Sequence, residues 1–304
     1  MTKYIDFSSK HNILIANGDG TYSRMDEPYF RSELIAPNTW KVLSSGDYSY
    51  LVVGDGVGIS IDCGYGAGNI REYLETLCGV PVPYVTNTHD HFDHSANNAY
   101  FDMAFLNEKA KEFGTIPYAS FSGIDFPRDY PVTIIHDGDF IPLNGRELQA
   151  FSIPDHAPSS MMYLDRKERI LFSGDEIMPM GKSLNGGLKS WIENLEKINE
   201  YRDEFDVLYG GGGRLEKKLF DAFLECARYA WDHEGELLPP PTPRKPRFTH
   251  EDPEGLGRTV YDRRMPHPGD SASYPDEPET LRENLRRVEY AGTSIVYDLS
   301  RKFE

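Results

Sequence analysis

The chain has 304 residues, enough to bury a large core as one domain or as a domain with an appendage. A formal net charge of −17 sets long-range repulsion against nucleic-acid phosphates and anionic lipid surfaces, so neither is expected as a partner. Apolar runs are too short for a spanning helix, and three scattered cysteines, Cys63, Cys78 and Cys226, do not make a disulfide framework. The first twenty residues lack a basic segment followed by an apolar stretch, so a cytoplasmic, reduced protein is expected.

Residues 1–36 are polar and show no clear periodicity, and they read as an irregular N-terminal arm. From Trp40 short β-rich runs alternate with Gly-Asp turns, up to ISIDCGYG at 59–66. NIREYLETLCG (69–79) has helical spacing and ends on Gly79, a C-cap signal. PVPYVTNTH (81–89) reads as a buried strand, and FLNEKAKEFG (105–114) as a short helix. The loop from Phe121 to Pro131 carries apolar groups for core packing or a pocket wall. Strands follow at 131–139, 146–156, 160–165 and 169–176, then a helix in SWIENLEKINEYRDEF (190–205) and the strand DVLYGG (206–211). RLEKKLFDAFLECARYAWD (214–232) reads as a second helix, with Leu215, Leu219, Phe223, Cys226 and Ala230 on one face. Beyond residue 233 come a Pro-rich linker (238–247), an irregular stretch, a short helical piece (278–289) and a last strand (293–299). That strand is suited to a sheet edge or to a second subunit, so a homodimer is an expectation. Alternation of strands and helices points to α/β layers.

The chemistry is concentrated in Thr88-His89-Asp90-His91-Phe92-Asp93-His94. Three imidazoles and a carboxylate in this H-x-H-x-D-H spacing are borderline ligands that suit zinc, iron, manganese or cobalt. At the end of a strand, His89 and His91 can face one metal, while Asp93 and His94, from the next turn, face a neighbouring position. A polar loop with no metal would crowd several imidazoles that become cations at low pH. His156 and Asp175 also stand at strand ends, in IPDHAPSS (153–160) and FSGDE (172–176).

The order IDCGYG, THDHFDH, IPDHAPSS, FSGDE resembles the metallo-β-lactamase superfamily over roughly residues 37–232. The resemblance implies a four-layer αββα sandwich spanning 37–232, with the arm 1–36 before it and an extension 233–304 after it. It implies that His89, His91 and His156 hold a first metal, that Asp93 and His94 serve a second, and that Asp175 bridges both. Asp62 matches an aspartate that orients a ligand histidine. One departure is plain: where the family usually places a final histidine, DVLYGGGGR (206–214) puts Gly212. Either the second metal is weak, leaving a mononuclear site at His89, His91, His156 and Asp175, or another residue replaces the imidazole, with His233, His250 and His267 as candidates.

The expected activity is metal-dependent hydrolysis of an ester, thioester, lactone or amide bond in a small molecule. Asp93 and His94 are the expected catalytic groups, and the cofactor is one or two zinc ions, with iron or manganese as alternatives. Iron-dependent oxidoreductase or dioxygenase chemistry, and a non-catalytic metal-binding module, are the competing readings.

Overall fold

The computed structural model describes residues 3–17, 19–44, 47–239, 251–262 and 281–304. His250, His267 and most of the Pro-rich linker therefore lie outside the described residues. Two compact units divide the chain, one of residues 1–134, 143–145 and 242–272, the other of residues 135–142, 146–241 and 273–304.

The first unit is built on a seven-stranded sheet in the order Arg31–Ala36, Thr39–Leu43, Tyr48–Val53, Gly58–Ile61, Tyr84–Thr86, Met103–Leu106, Val132–Ile134. The first four strands run antiparallel and the last four are parallel neighbours, the change of sense falling at Gly58–Ile61. Gly58–Ile61 is buried throughout, as a strand covered on both faces must be. Helix α1 (Ile70–Cys78) starts where the Asn69 side chain accepts a hydrogen bond from the Glu72 amide, and it buries Ile70 and Leu74. It stops at Gly79, whose φ of +74° and amide bond to the Glu75 carbonyl form the expected cap. Two shorter helices follow, α2 (Phe92–Ser95) and α3 (Glu108–Phe113). Phe121 and Phe126 pack their rings 4.9 and 4.8 Å from Phe92, so that loop builds core.

Residues 1–36 are less irregular than their sequence suggests. Ile13–Ala16 pairs antiparallel with Tyr22–Arg24 and parallel with Thr259–Asp262, and Arg31–Ala36 edges the large sheet.

In the second unit a six-stranded sheet runs Phe140–Pro142, Glu147–Ser152, Met161–Asp165, Ile170–Gly174, Val207–Gly210, Gly213–Glu216. Helices α4 (Leu188–Asn199) and α5 (Lys217–Asp232) bury Leu188, Trp191, Leu195 and Ile198, and Phe220, Phe223, Cys226, Ala227 and Ala230. α5 begins later than the sequence predicts because Gly213–Glu216 is still strand, which takes Leu215 off the helical face. A four-stranded sheet completes the unit, in the order Lys182–Ser183, Thr293–Asp298, Leu285–Tyr290, Glu236–Leu237. Here the predicted helix at 278–289 is corrected: Leu285–Tyr290 is a strand, paired with Thr293–Asp298 across a two-residue turn. Ala291 and Gly292 both have positive φ, +53° and +85°, the geometry of a tight hairpin. Each unit thus joins β-sheet to helices, within the expected α/β class. Among the described residues no helix is long and apolar enough to cross a membrane.

Candidate metal centre

The first unit gathers its functional side chains at one edge of the large sheet. His89 follows the parallel strand Tyr84–Thr86, and Asp62 follows its neighbour Gly58–Ile61, so both project from C-terminal strand ends, where open α/β sheets bind ligands. Asp62 has a φ of +61°, a left-handed conformation that costs a non-glycine residue about 1–2 kcal/mol. Its hydrogen bonds offset that cost. Oδ1 accepts from the Thr88 amide at 2.7 Å, and Oδ2 accepts from the Thr88 hydroxyl at 2.8 Å and from His94 Nδ1 at 2.9 Å. The Thr88 hydroxyl also lies 3.2 Å from His89 Nδ1. One carboxylate therefore orients two consecutive pieces of the histidine loop.

From beneath, the Cys63 amide and the Asn87 side chain donate to the His94 carbonyl at 2.9 and 3.0 Å. Burial, then the Asp62 charge, push the Cys63 thiol well above its ordinary range, so this cysteine is structural. Three imidazoles are packed together as a result, with ring centroids 4.4 Å apart for His89 and His91 and 4.1 Å for His89 and His94.

Asp93 lies in the single turn of α2. Burial pushes its carboxyl up, but the imidazoles of His94 and His91, with hydrogen bonding to Asp47 and Tyr118, outweigh this and bring it down to about 2. The Tyr118 hydroxyl donates to Asp93 Oδ1 at 2.7 Å, and burial followed by the Asp93 charge raises that phenol strongly. One donor atom each from Asp47, Asp93 and His94 lies within 4.8 Å of the other two. One imidazole and two carboxylates at this separation fit a divalent cation.

The second unit presents His156 and Asp175, with His156 Nε2 3.7 Å from Asp175 Oδ2. Asp175 follows a register shift between Phe172 and Gly174, which turns the chain off the sheet at the strand's end. Each has an acidic neighbour in sequence, Asp155 before His156 and Glu176 after Asp175. Lys182 ties these neighbours together: its Nζ is 2.5 Å from Glu176 Oε2 and 3.0 Å from Asp155 Oδ2. Glu176 Oε1 accepts from the His156 amide at 2.7 Å, and Asp155 Oδ1 from the Gly186 amide at 3.0 Å. The three charged side chains are buried, and the ammonium sits 4.6 Å from the Trp191 ring centroid.

Asp47, Tyr118 and Lys182 are absent from the sequence-based set. Asp47 stands in SSGDY with no local signal, and Lys182 has none either, because the acids it meets lie at two separate strand ends. Gly212 is exposed, and a Cβ there would meet nothing within 4 Å. His233, at the C-terminal end of α5, stacks on Tyr229 at 3.8 Å with its Nδ1 2.9 Å from the Tyr229 carbonyl.

Residues 46–229 match the family model described as the metallo-beta-lactamase superfamily. The chain belongs to that superfamily. The match contains both groups of strand-end residues described above. Human acyl-coenzyme A thioesterase MBLAC2 is 28% identical over 184 residues, which are 50% of this chain and 63% of that relative. The chain thus spans less than two thirds of that relative's length. Among solved structures, a metallo-beta-lactamase from Pontibacter korlensis superposes with a TM-score of 0.52 at 18% identity, covering 66% of this chain and 99% of the other. The sec-alkylsulfatase Pisa1 from Pseudomonas sp. gives 0.53 at 14% identity, covering 73% and 49%. At such identities these two likenesses concern the metallo-beta-lactamase fold alone.

Proposed function

We propose that this chain is a metal-dependent hydrolase whose first divalent ion, zinc, is held by His89, His91, His156 and Asp175. The bond cleaved is an acyl ester-type bond of a small molecule, a thioester ahead of a lactone or amide. The observation that carries this reading is the packed His89, His91 and His94 cluster, with His94 oriented by the strained Asp62. The thioester preference is supported by the name of the human relative, an acyl-coenzyme A thioesterase.

When bound, a divalent ion supplies Lewis acidity that polarises a carbonyl and acidifies water. The chain's residues do the rest. Asp93, kept ionised and fixed through Oδ1 by Tyr118, accepts a hydrogen bond from the attacking water and sets its direction. Asp62 holds His94 in one tautomer, with Nδ1–H donated and Nε2 facing the site. In the second unit, the Lys182 network keeps His156 and Asp175 on fixed loops.

Metal analysis of protein purified without added metal, with turnover of acyl-coenzyme A thioesters, aryl esters and lactones, tests the proposal. Wild type should carry zinc and hydrolyse thioesters, and the double variant His89→Ala, His91→Ala should lose both. Turnover that survives in the double variant would refute it; iron in place of zinc would favour the oxidoreductase reading.

A further inference from the structure

We infer that Asp47 is a metal ligand, completing with Asp93 and His94 a second divalent-cation position made of two carboxylates and one imidazole. This rests on the hydrolase reading for the first ion and supplies the donor that Gly212 does not.

The fold explains why a distant aspartate arrives there. Tyr48–Val53 runs antiparallel to Gly58–Ile61 in the register Tyr50 to Ile61. The residue entering the first strand therefore stands beside the residue leaving the second, and Asp47 and Asp62 share one sheet edge. His89 to His94 reach the same edge from the parallel strand Tyr84–Thr86. Asp47 Oδ2 is 3.8 Å from His94 Nε2, a separation that leaves room for both atoms to ligate one ion.

The hydrogen-bond polarity points the same way. Asp62 takes the Nδ1–H of His94, which directs the Nε2 lone pair of the neutral ring at the carboxylates of Asp47 and Asp93. His94 is 99% buried (1% exposed) and Asp93 is pinned by Tyr118, so the donors are already oriented. Asp47 is 29% exposed, which leaves an approach for the ion. Exchanging the superfamily's usual imidazole for a carboxylate makes this position harder and more anionic. Two carboxylates neutralise a divalent charge, and manganese becomes a good occupant beside zinc.

Calorimetric titration of metal-stripped full-length protein with Zn²⁺ and with Mn²⁺ tests the assignment, using wild type, Asp47→Asn and Asp47→Glu. Wild type should bind two equivalents. Asp47→Asn should bind the first as wild type does and the second about 10–100-fold more weakly or not at all, with Asp47→Glu restoring part of it. Visible absorption of the Co²⁺-loaded forms should lose only the second-equivalent band in Asp47→Asn, and the metal-free melting temperature should be unchanged. Two wild-type-like equivalents in Asp47→Asn, or a single equivalent in wild type that Asp47→Asn leaves unaffected, overturns the Asp47 assignment alone. Wild type that binds no metal overturns the hydrolase reading with it.

Discussion

Replacing Lys182 with methionine keeps most of the side-chain volume and deletes the one cation between Asp155 and Glu176. The structure fixes what is lost: contacts of 2.5 and 3.0 Å to two carboxylates, among side chains exposed by only 4%, 1% and 2% for Lys182, Asp155 and Glu176. Breaking a buried ion pair by removing one partner costs about 3–5 kcal/mol, because the other charge stays buried and uncompensated. For a cooperative unit of this size that corresponds to a fall in Tm of roughly 6–20 °C. Without the ammonium, the two acids must take up a proton. Burial already raises the Asp155 carboxyl, with the Glu176 charge adding to it and Lys182 opposing it. A carboxyl whose folded-state pKa lies above its unfolded value makes the fold less stable as pH rises between the two. The deficit of Lys182→Met should therefore shrink as pH is lowered from 7 towards 5, with wild type gaining less over the same range because Lys182 opposes the rise of its Asp155 carboxyl. Urea denaturation followed by tryptophan fluorescence at several pH values measures both effects, and Lys182→Arg should recover part of the loss. A variant within ~1 kcal/mol of wild type at every pH would show that these charges are not held as a desolvated triad.

Two further outcomes follow from the same reasoning. Asp62→Asn tolerates the left-handed backbone but loses the second acceptor shared by Thr88 and His94, so metal affinity should fall about 10–100-fold and the melting temperature should drop with the lost buried hydrogen bonds; competition with a chromogenic chelator measures the affinity, and an unchanged affinity would remove Asp62 from the site's support. Gly210→Ala would bring a Cβ to 2.7 Å from the Gly174 carbonyl, just before Asp175. The strand pair must give way, with a loss of about 1–3 kcal/mol in chemical denaturation, and a neutral result would show that the glycine run is not set by this close approach.

The histidine loop was legible because its information is local. Six residues hold three imidazoles and two aspartates, and no long-range contact is needed to see them. Gly79 and the apolar stripe of α5 were legible for the same reason, since caps and helical faces are written within a few turns. What escaped depends on partners far along the chain. Leu-Arg-Arg-Val-Glu-Tyr at 285–290 is rich in helix-favouring residues, yet pairing with Thr293–Asp298 over buried Val288 overrides that preference. Ile13–Ala16 looks irregular until Thr259–Asp262 is beside it. Asp47 joins Asp93 and His94 only through strand register, and Lys182 acquires its meaning only when two separate strand ends bring their acids to it.

Cys63 turns the floor of the histidine loop into a built-in reporter. Its sulfur lies 3.3 Å from the His94 carbonyl and 3.2 Å from Asn98 Oδ1, fully shielded and with its proton held tightly. A thiol reagent can reach it only when residues 87–98 lift away, so its labelling rate measures the free energy of that local opening. Cation binding at the loop would slow the reaction in proportion to the stability it adds, giving a readout of site assembly that needs no substrate.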